Sequence, residues 1–123
     1  MLDFIGVGLG PFNLSLASLL HEKSDLNYLF FDQKTQFEWH SGMQLPNTML
    51  QVPFMADLVS MVDPTSPLSF LNYLKDQQRL YKFYFLEQAQ IARKEYNHYC
   101  QWVADQIDRI QYLSSVTEII PNS

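Results

Sequence analysis

The chain of 123 residues carries 13 acidic against 8 basic side chains, a formal net charge of −5, with 47% hydrophobic and 17% charged residues. Such a chain makes one domain at most, large enough for a sizeable core, and its composition is that of an ordered globular protein. The acidic balance argues against nucleic acid or an anionic membrane as the main partner, and no apolar run approaches the ~20 residues of a membrane span.

Leu2 to Val7 is short, apolar and β-branched enough to be expected as a buried strand. It begins right after Met1 and leaves no room for a signal peptide, so the expectation is a cytoplasmic protein. Gly6, Gly8 and Gly10 break the strand, and Leu14, Ala17 and Leu20 then recur at helical spacing with Leu16 and Leu19 beside them. Strand, glycine turn and helix form the context in which a dinucleotide pyrophosphate binds. Glycine lets the backbone approach the phosphates, and the unpaired N–H groups at the helix start attract negative charge. The pattern Gly8-Leu9-Gly10-Pro11-Phe12-Asn13 places Asn13 where a third glycine is usual. Either helix and strand stand further apart there, or the Asn13 amide bonds locally. Pro11 suits a first helical turn, needing no N–H. A glycine turn by itself is weak, since such turns also end strands for steric reasons. The other glycine is Gly42, so a second glycine-rich turn has no material in this chain.

The first helix is expected to fade near His21-Glu22-Lys23, with a turn at Ser24-Asp25. Asn27 to Asp32 reads as a second buried strand ending in a carboxylate, 24 residues beyond Gly8. That is close to the ~20 expected of an acid that bonds a ribose hydroxyl. A solvated aspartate at a strand end is the plainer alternative. The order of the elements favours dinucleotide binding without separating FAD from NAD(P).

Residues 33 to 66 show no clean period. Phe37, Trp39, His40, Gly42 and Met43 are followed by Pro46, Pro53, Pro64 and, just beyond, Pro67. Loops of this length in compact domains are usually functional. This one is apolar enough to be expected ordered, against a flat aromatic cofactor or a neighbouring domain. Trp39 as core and His40 as a hydrogen-bonded structural histidine are the plainer roles.

Ser66-Pro67 reads as a helix start, with Leu68, Leu71 and Leu74 as its buried stripe. Arg79 to Leu86 reads as extended or as an irregular turn. Lys94 to Ile107 is predicted helical, because Tyr96, Tyr99, Cys100, Val103 and Ile107 share one face. Cys100, the single cysteine, is there a small core residue and excludes an internal disulfide. Gln111 to Ile120 is predicted as a third strand. No catalytic set stands out, and His40, His98 and Cys100 make no metal pattern, so any chemistry belongs to a cofactor.

With these segments in place the chain resembles the N-terminal part of the flavin-dependent N-hydroxylating monooxygenases of siderophore biosynthesis, which hydroxylate lysine, ornithine or a diamine. The likeness is carried by residues 5–14, by Phe30-Phe31-Asp32 and by Phe37-Glu38-Trp39-His40-Ser41-Gly42-Met43. It continues through residues 50–58, Asp63-Pro64-Thr65-Ser66, Ser69-Phe70-Leu71-Asn72-Tyr73-Leu74, and Arg93-Lys94-Glu95-Tyr96 with Tyr99 and Trp102. The family also carries asparagine at the place of Asn13.

The resemblance implies an α/β fold: a Rossmann-like FAD-binding βαβ unit with a long ordered insertion and additional helices. Gly8, Gly10, Pro11, Phe12 and Asn13 would hold the FAD pyrophosphate and Asp32 the adenosine ribose. Trp39, His40, Leu50 and Gln51 would lie along the flavin, and Val116, in the last strand, near the adenine. NADPH would reduce the flavin, oxygen would add to it, and the neutral amine would attack the distal oxygen. The protein's tasks would be to exclude water and keep the amine deprotonated and close.

Two departures matter. Lysine- and ornithine-hydroxylating members resemble Gln-x-x-x-x-Lys in this block, the lysine binding the substrate α-carboxylate, whereas Gln51 here leads to Ala56. A diamine such as putrescine or cadaverine needs no such anchor. The other departure is length. Residues 1–123 are expected to be the N-terminal part of an FAD-binding domain, with the NADPH domain and the rest of the substrate pocket absent. Such a piece would be inactive alone and prone to self-association through uncovered sheet edges, the whole protein being a homo-oligomer. A non-enzymatic dinucleotide-binding module and an NAD(P)-dependent dehydrogenase half are the competing readings.

Overall fold

The computed structural model describes residues 1–21, 25–38, 49–87 and 90–121, and of residues 49–52 the backbone alone. The elements run β1 (Phe4–Val7), α1 (Pro11–Leu20), β2 (Tyr28–Phe31), β3 (Met49–Pro53), α2 (Phe70–Asp76), α3 (Leu80–Phe85), β4 (Gln90–Ala92), α4 (Arg93–Ala104) and β5 (Ile110–Gln111). β1, β2 and β5 form a parallel sheet in that spatial order, with Phe4 opposite Tyr28 and Phe30 opposite Ile110. This is the α/β, Rossmann-like arrangement: a first βαβ unit, then a long crossover to the third strand. Inside that crossover β3 and β4 make a separate antiparallel ribbon, Met49 opposite Ala92 and Pro53 opposite Gln90.

The core forms where the two helices that follow β1 and β4 meet. Leu14, Ala17 and Ser18 are the buried face of α1, and Tyr96, Tyr99, Cys100 and Val103 lie on that of α4. The Ser18 hydroxyl is satisfied by Leu14 O at 2.7 Å, which lets a polar residue share that stripe. Tyr28 and Phe30 bury one face of the sheet; the Tyr28 ring stacks on Phe4, 5.4 Å away and nearly parallel, and Phe30 meets Phe4 edge-on at 6.2 Å. Cys100 is a free, buried thiol, as its place on the stripe predicts.

Several expectations need correcting. β1 is not buried on both faces: Ile5 is 45% and Val7 50% exposed, while Phe4 and Gly6 face the core. The third strand ends at Gln111 instead of running to Ile120, because Leu113 adopts a left-handed backbone (φ 55°) that turns the chain out of the ladder. The helix placed at Ser66-Pro67 starts three residues later. Ser66 Oγ takes the Leu68 N–H in a local turn, and Ser69 is the cap, accepting from Asn72 N at 3.0 Å. Leu71, expected in that helix's buried stripe, is exposed, and Phe70 and Tyr73 are buried instead. Arg79 to Leu86 is neither extended nor irregular but contains α3, anchored by Phe83 edge-on against Phe54 and Phe70. β3 and β4, of five and three residues, are too short to carry a periodic signal in the sequence. The expected ordered insertion is described only from residue 49 onward and up to residue 38.

Candidate functional site

All three strands of the parallel sheet point the same way, so their carboxyl ends gather at one edge, where open α/β sheets bind ligands. At that edge lies a polar cavity of about 370 Å³. Its walls are the glycine turn from Val7 to Gly10, the end of β2 from Phe31 to Lys34, and Ser114 to Val116.

Each wall is held by backbone bonds the sequence makes necessary. Gly8 sits at φ +82°, a conformation that side chains resist, and its N–H donates to Phe31 O at 2.8 Å. Asp32 is buried and takes the Leu9 N–H on Oδ2 at 2.8 Å and the Lys34 N–H on Oδ1 at 2.9 Å. Each oxygen retains a lone pair for a further donor. The third wall is tied to the second by Leu113 N to Lys34 O and Ser114 N to Asp32 O.

α1 starts directly from this turn. Gly10 is its cap, Pro11 occupies its first position, and no side chain bonds the helix start. Its first N–H groups therefore remain available to an anion, with the partial positive charge of the helix end behind them. Asn13 resolves the question its residue type poses: its Nδ2 donates to Gly8 O at 2.7 Å, so the amide bonds locally and braces the turn. An adenosine ribose and a diphosphate match this donor set, with a carboxylate for hydroxyls and backbone N–H groups for phosphate.

Gly8, Gly10, Asp32 and Val116 are thus brought together around one cavity. Pro11, Phe12 and Asn13 follow in the first turn of α1, with Phe12 almost fully exposed. Val116 belongs to the wall but not to a strand, which corrects the expectation for its setting. Leu50 and Gln51 are on β3, and their side chains are not described. Trp39 and His40 lie outside the described residues. Ala56 is exposed in the turn after β3, its N–H donating to Pro53 O at 2.9 Å.

Sequence reasoning missed Lys34, Ser114 and Ser115 as cavity residues. The rule that parallel strands end at a common edge would have found them, once β5 was given its true, shorter length. Among the described residues no group of three or more His, Cys, Asp or Glu is placed to hold a metal ion, and no helix is long and apolar enough to cross a membrane.

The family model described as L-lysine 6-monooxygenase/L-ornithine 5-monooxygenase matches residues 1–123. The putrescine N-hydroxylase of Shewanella oneidensis is 49% identical over 121 residues, covering 98% of this chain and 24% of that protein. Among solved structures, the FAD-bound cadaverine monooxygenase DfoA of Erwinia amylovora is 51% identical, with a TM-score of 0.89, over 91% of this chain and 26% of that one. The ornithine N-hydroxylase KtzI of Kutzneria sp. 744, solved with reduced FAD, NADP+ and L-ornithine, is 36% identical with a TM-score of 0.96, over 100% of this chain and 30% of that one. The chain spans about a quarter of the length of the curated relatives it matches.

Proposed function

Because the chain belongs to the L-lysine 6-monooxygenase/L-ornithine 5-monooxygenase family, we propose that it is the N-terminal part of the FAD-binding domain of an NADPH-dependent amine N-hydroxylase that makes hydroxamate-siderophore precursors. The observation that carries this is the convergence of the Gly8–Gly10 turn, the uncapped start of α1 and the Asp32 carboxylate on one polar cavity. In this reading Gly8, Gly10, Pro11, Phe12 and Asn13 hold the FAD diphosphate, Asp32 the ribose, and Val116 a place near the adenine. Trp39, His40, Leu50 and Gln51 lie along the flavin. Bound FAD supplies the redox chemistry that activates oxygen. This part of the chain binds and orients the cofactor, and none of its side chains is assigned a proton transfer. NADPH binds in a domain beyond residues 1–123.

The substrate is proposed to be a diamine. Ala56 stands where lysine- and ornithine-hydroxylating members place the lysine that binds the α-carboxylate, and it offers no charge to pair. The names of the putrescine N-hydroxylase and of the cadaverine monooxygenase support this choice. The family description and the ornithine enzyme support the alternative, an L-lysine N6- or L-ornithine N5-monooxygenase.

Purified protein should carry flavin absorbance or take up FAD on titration. The whole protein should consume NADPH and oxygen to hydroxylate putrescine or cadaverine faster than ornithine or lysine. Binding of NAD(P) with no affinity for FAD would refute the cofactor assignment, and preferred turnover of an amino acid would refute the substrate.

A further inference from the structure

Leu58 is gripped on both sides of its own backbone. Its N–H donates to the Tyr99 hydroxyl at 3.2 Å, and its carbonyl oxygen accepts from Ser15 Oγ. Leu58 and Tyr99 are both buried, and the Tyr99 hydroxyl gives its own proton to Leu68 O at 2.7 Å. Burial, reinforced by the nearby Asp57 charge, pushes the Tyr99 phenol far up, so the hydroxyl remains a donor. Asp57 steadies the same stretch, accepting the N–H groups of Val59, Ser60 and Phe70 and the Ser60 hydroxyl at 2.7–3.0 Å.

Three elements meet at this point. Ser15 belongs to α1, which rises from the glycine turn of the polar cavity. Tyr99 belongs to α4, which continues without a break from β4, the partner strand of β3. Leu58 follows β3 through the turn that carries Ala56. Resting on the FAD reading above, we infer that Ser15 and Tyr99 are positioning residues: through Leu58 they fix β3 and Ala56, on the flavin and amine side, relative to α1 on the diphosphate side. The plainer role is only to satisfy a buried peptide. The two differ in what happens when the grip is released. A misplacement of a reacting pair by about 1 Å costs rate far out of proportion to any loss of stability.

The test compares Ser15→Ala and Tyr99→Phe with Tyr73→Phe, whose hydroxyl serves the separate Arg79–Glu95 pair. In the whole protein without cofactor, amide hydrogen exchange over residues 54–60 should quicken about tenfold in both test variants, from freer local opening, and hold steady in Tyr73→Phe. In the FAD-loaded whole protein, the diamine KM should rise roughly threefold and hydroxylated product per NADPH should fall, with FAD retained. Unchanged exchange would overturn the inference. So would faster exchange with product per NADPH equal to that of Tyr73→Phe, since the bonds then only satisfy a peptide. If Tyr99→Phe does not fold, the partly buried Ser15→Ala decides by the same readouts. A wild-type protein that takes up no FAD overturns the cofactor reading and the inference with it, before any substitution is compared.

Discussion

Asp32 Oδ2 accepts the backbone N–H of Leu9 at 2.8 Å, joining the end of β2 to the glycine turn 23 residues earlier. The other carboxylate oxygen takes Lys34 N–H at 2.9 Å. One side chain therefore shapes two walls of the cavity while facing into it. The carboxylate proposed for the ribose is at the same time the brace of its own site.

Replacing Asp32 by asparagine tests both roles. The amide keeps one acceptor and turns an NH2 toward one of the two N–H groups, so a buried donor loses its partner. The cost should be about 1.5–3 kcal/mol, since the lost bond was to a charged acceptor. Thermal unfolding should show a lower midpoint. FAD should raise the wild-type midpoint by mass action and raise that of the variant little or not at all. An unchanged midpoint would mean that the Leu9 and Lys34 bonds do not brace the turn.

Gly6 and Gly10 should separate cleanly. A Cβ on Gly6 would lie 2.2 Å from the ring of Phe30, which is itself fully buried. Gly6→Ala therefore overpacks the sheet and should cost about 1–3 kcal/mol. A Cβ on Gly10 meets nothing within 4 Å, so Gly10→Ala should fold normally. Its effect should appear as weakened FAD binding, because in the proposed site the added methyl would stand where the backbone approaches the phosphates. Urea unfolding beside flavin fluorescence titration distinguishes the two. Equal FAD affinity for Gly10→Ala and wild type would move the diphosphate away from this turn.

Alkaline stability follows from buried acids that prefer to stay protonated. Burial, then the Glu95 carboxylate, pushes the Tyr73 phenol from its ordinary 10.0 up to about 12. Burial also raises Tyr96, Tyr99 and the Cys100 thiol. The unfolded chain gives up these protons first, so the folded state binds more protons above the ordinary values and its stability falls as pH rises. For Tyr73 the contribution is whole below pH 10 and lost by about pH 12. Urea unfolding across this window should lose stability steeply, and Tyr73→Phe should flatten the slope while starting from a lower value at neutral pH. A slope identical to wild type would mean that Tyr73 ionises in the folded protein as freely as in the unfolded one.

The sequence made the βαβ unit legible because each of its parts signals by itself: an apolar run, glycines, a proline at a helix start and a carboxylate at fixed distance. Asn13 shows how far that goes, since its local bond to Gly8 was one of two outcomes its side chain allowed. α4 was legible through its buried stripe of Tyr96, Tyr99, Cys100 and Val103. α3 was not, because Phe83 packs inward while Tyr81, Tyr84 and Phe85 stay exposed, and a six-residue aromatic run has no period to read. The helix start moved from Ser66 to Ser69 because Asp57, distant in sequence, takes the Phe70 N–H. The Leu58 grip was hidden for the same reason, as its partners Ser15 and Tyr99 belong to different helices.

Ala56→Lys should convert the substrate preference. Position 56 is exposed in a turn held by its own N–H to Pro53 O, so a longer side chain enters without disturbing the backbone. In the proposed site a lysine there meets the α-carboxylate of ornithine or lysine and repels the second ammonium of a diamine. A hydrogen bond to a charged group contributes about 1.5–3 kcal/mol, and 1.4 kcal/mol corresponds to about tenfold, so kcat/KM for the amino acid should rise about tenfold or more. That for putrescine and cadaverine should fall. The gain should sit mainly in KM, because the carboxylate is remote from the reacting amine and binds equally in ground and transition states. Steady-state kinetics of the whole protein on all four amines, following hydroxylamine product rather than NADPH loss, measures this. An amino acid whose KM is indifferent to the substitution would show that position 56 does not face the substrate, and the diamine assignment would lose its structural basis.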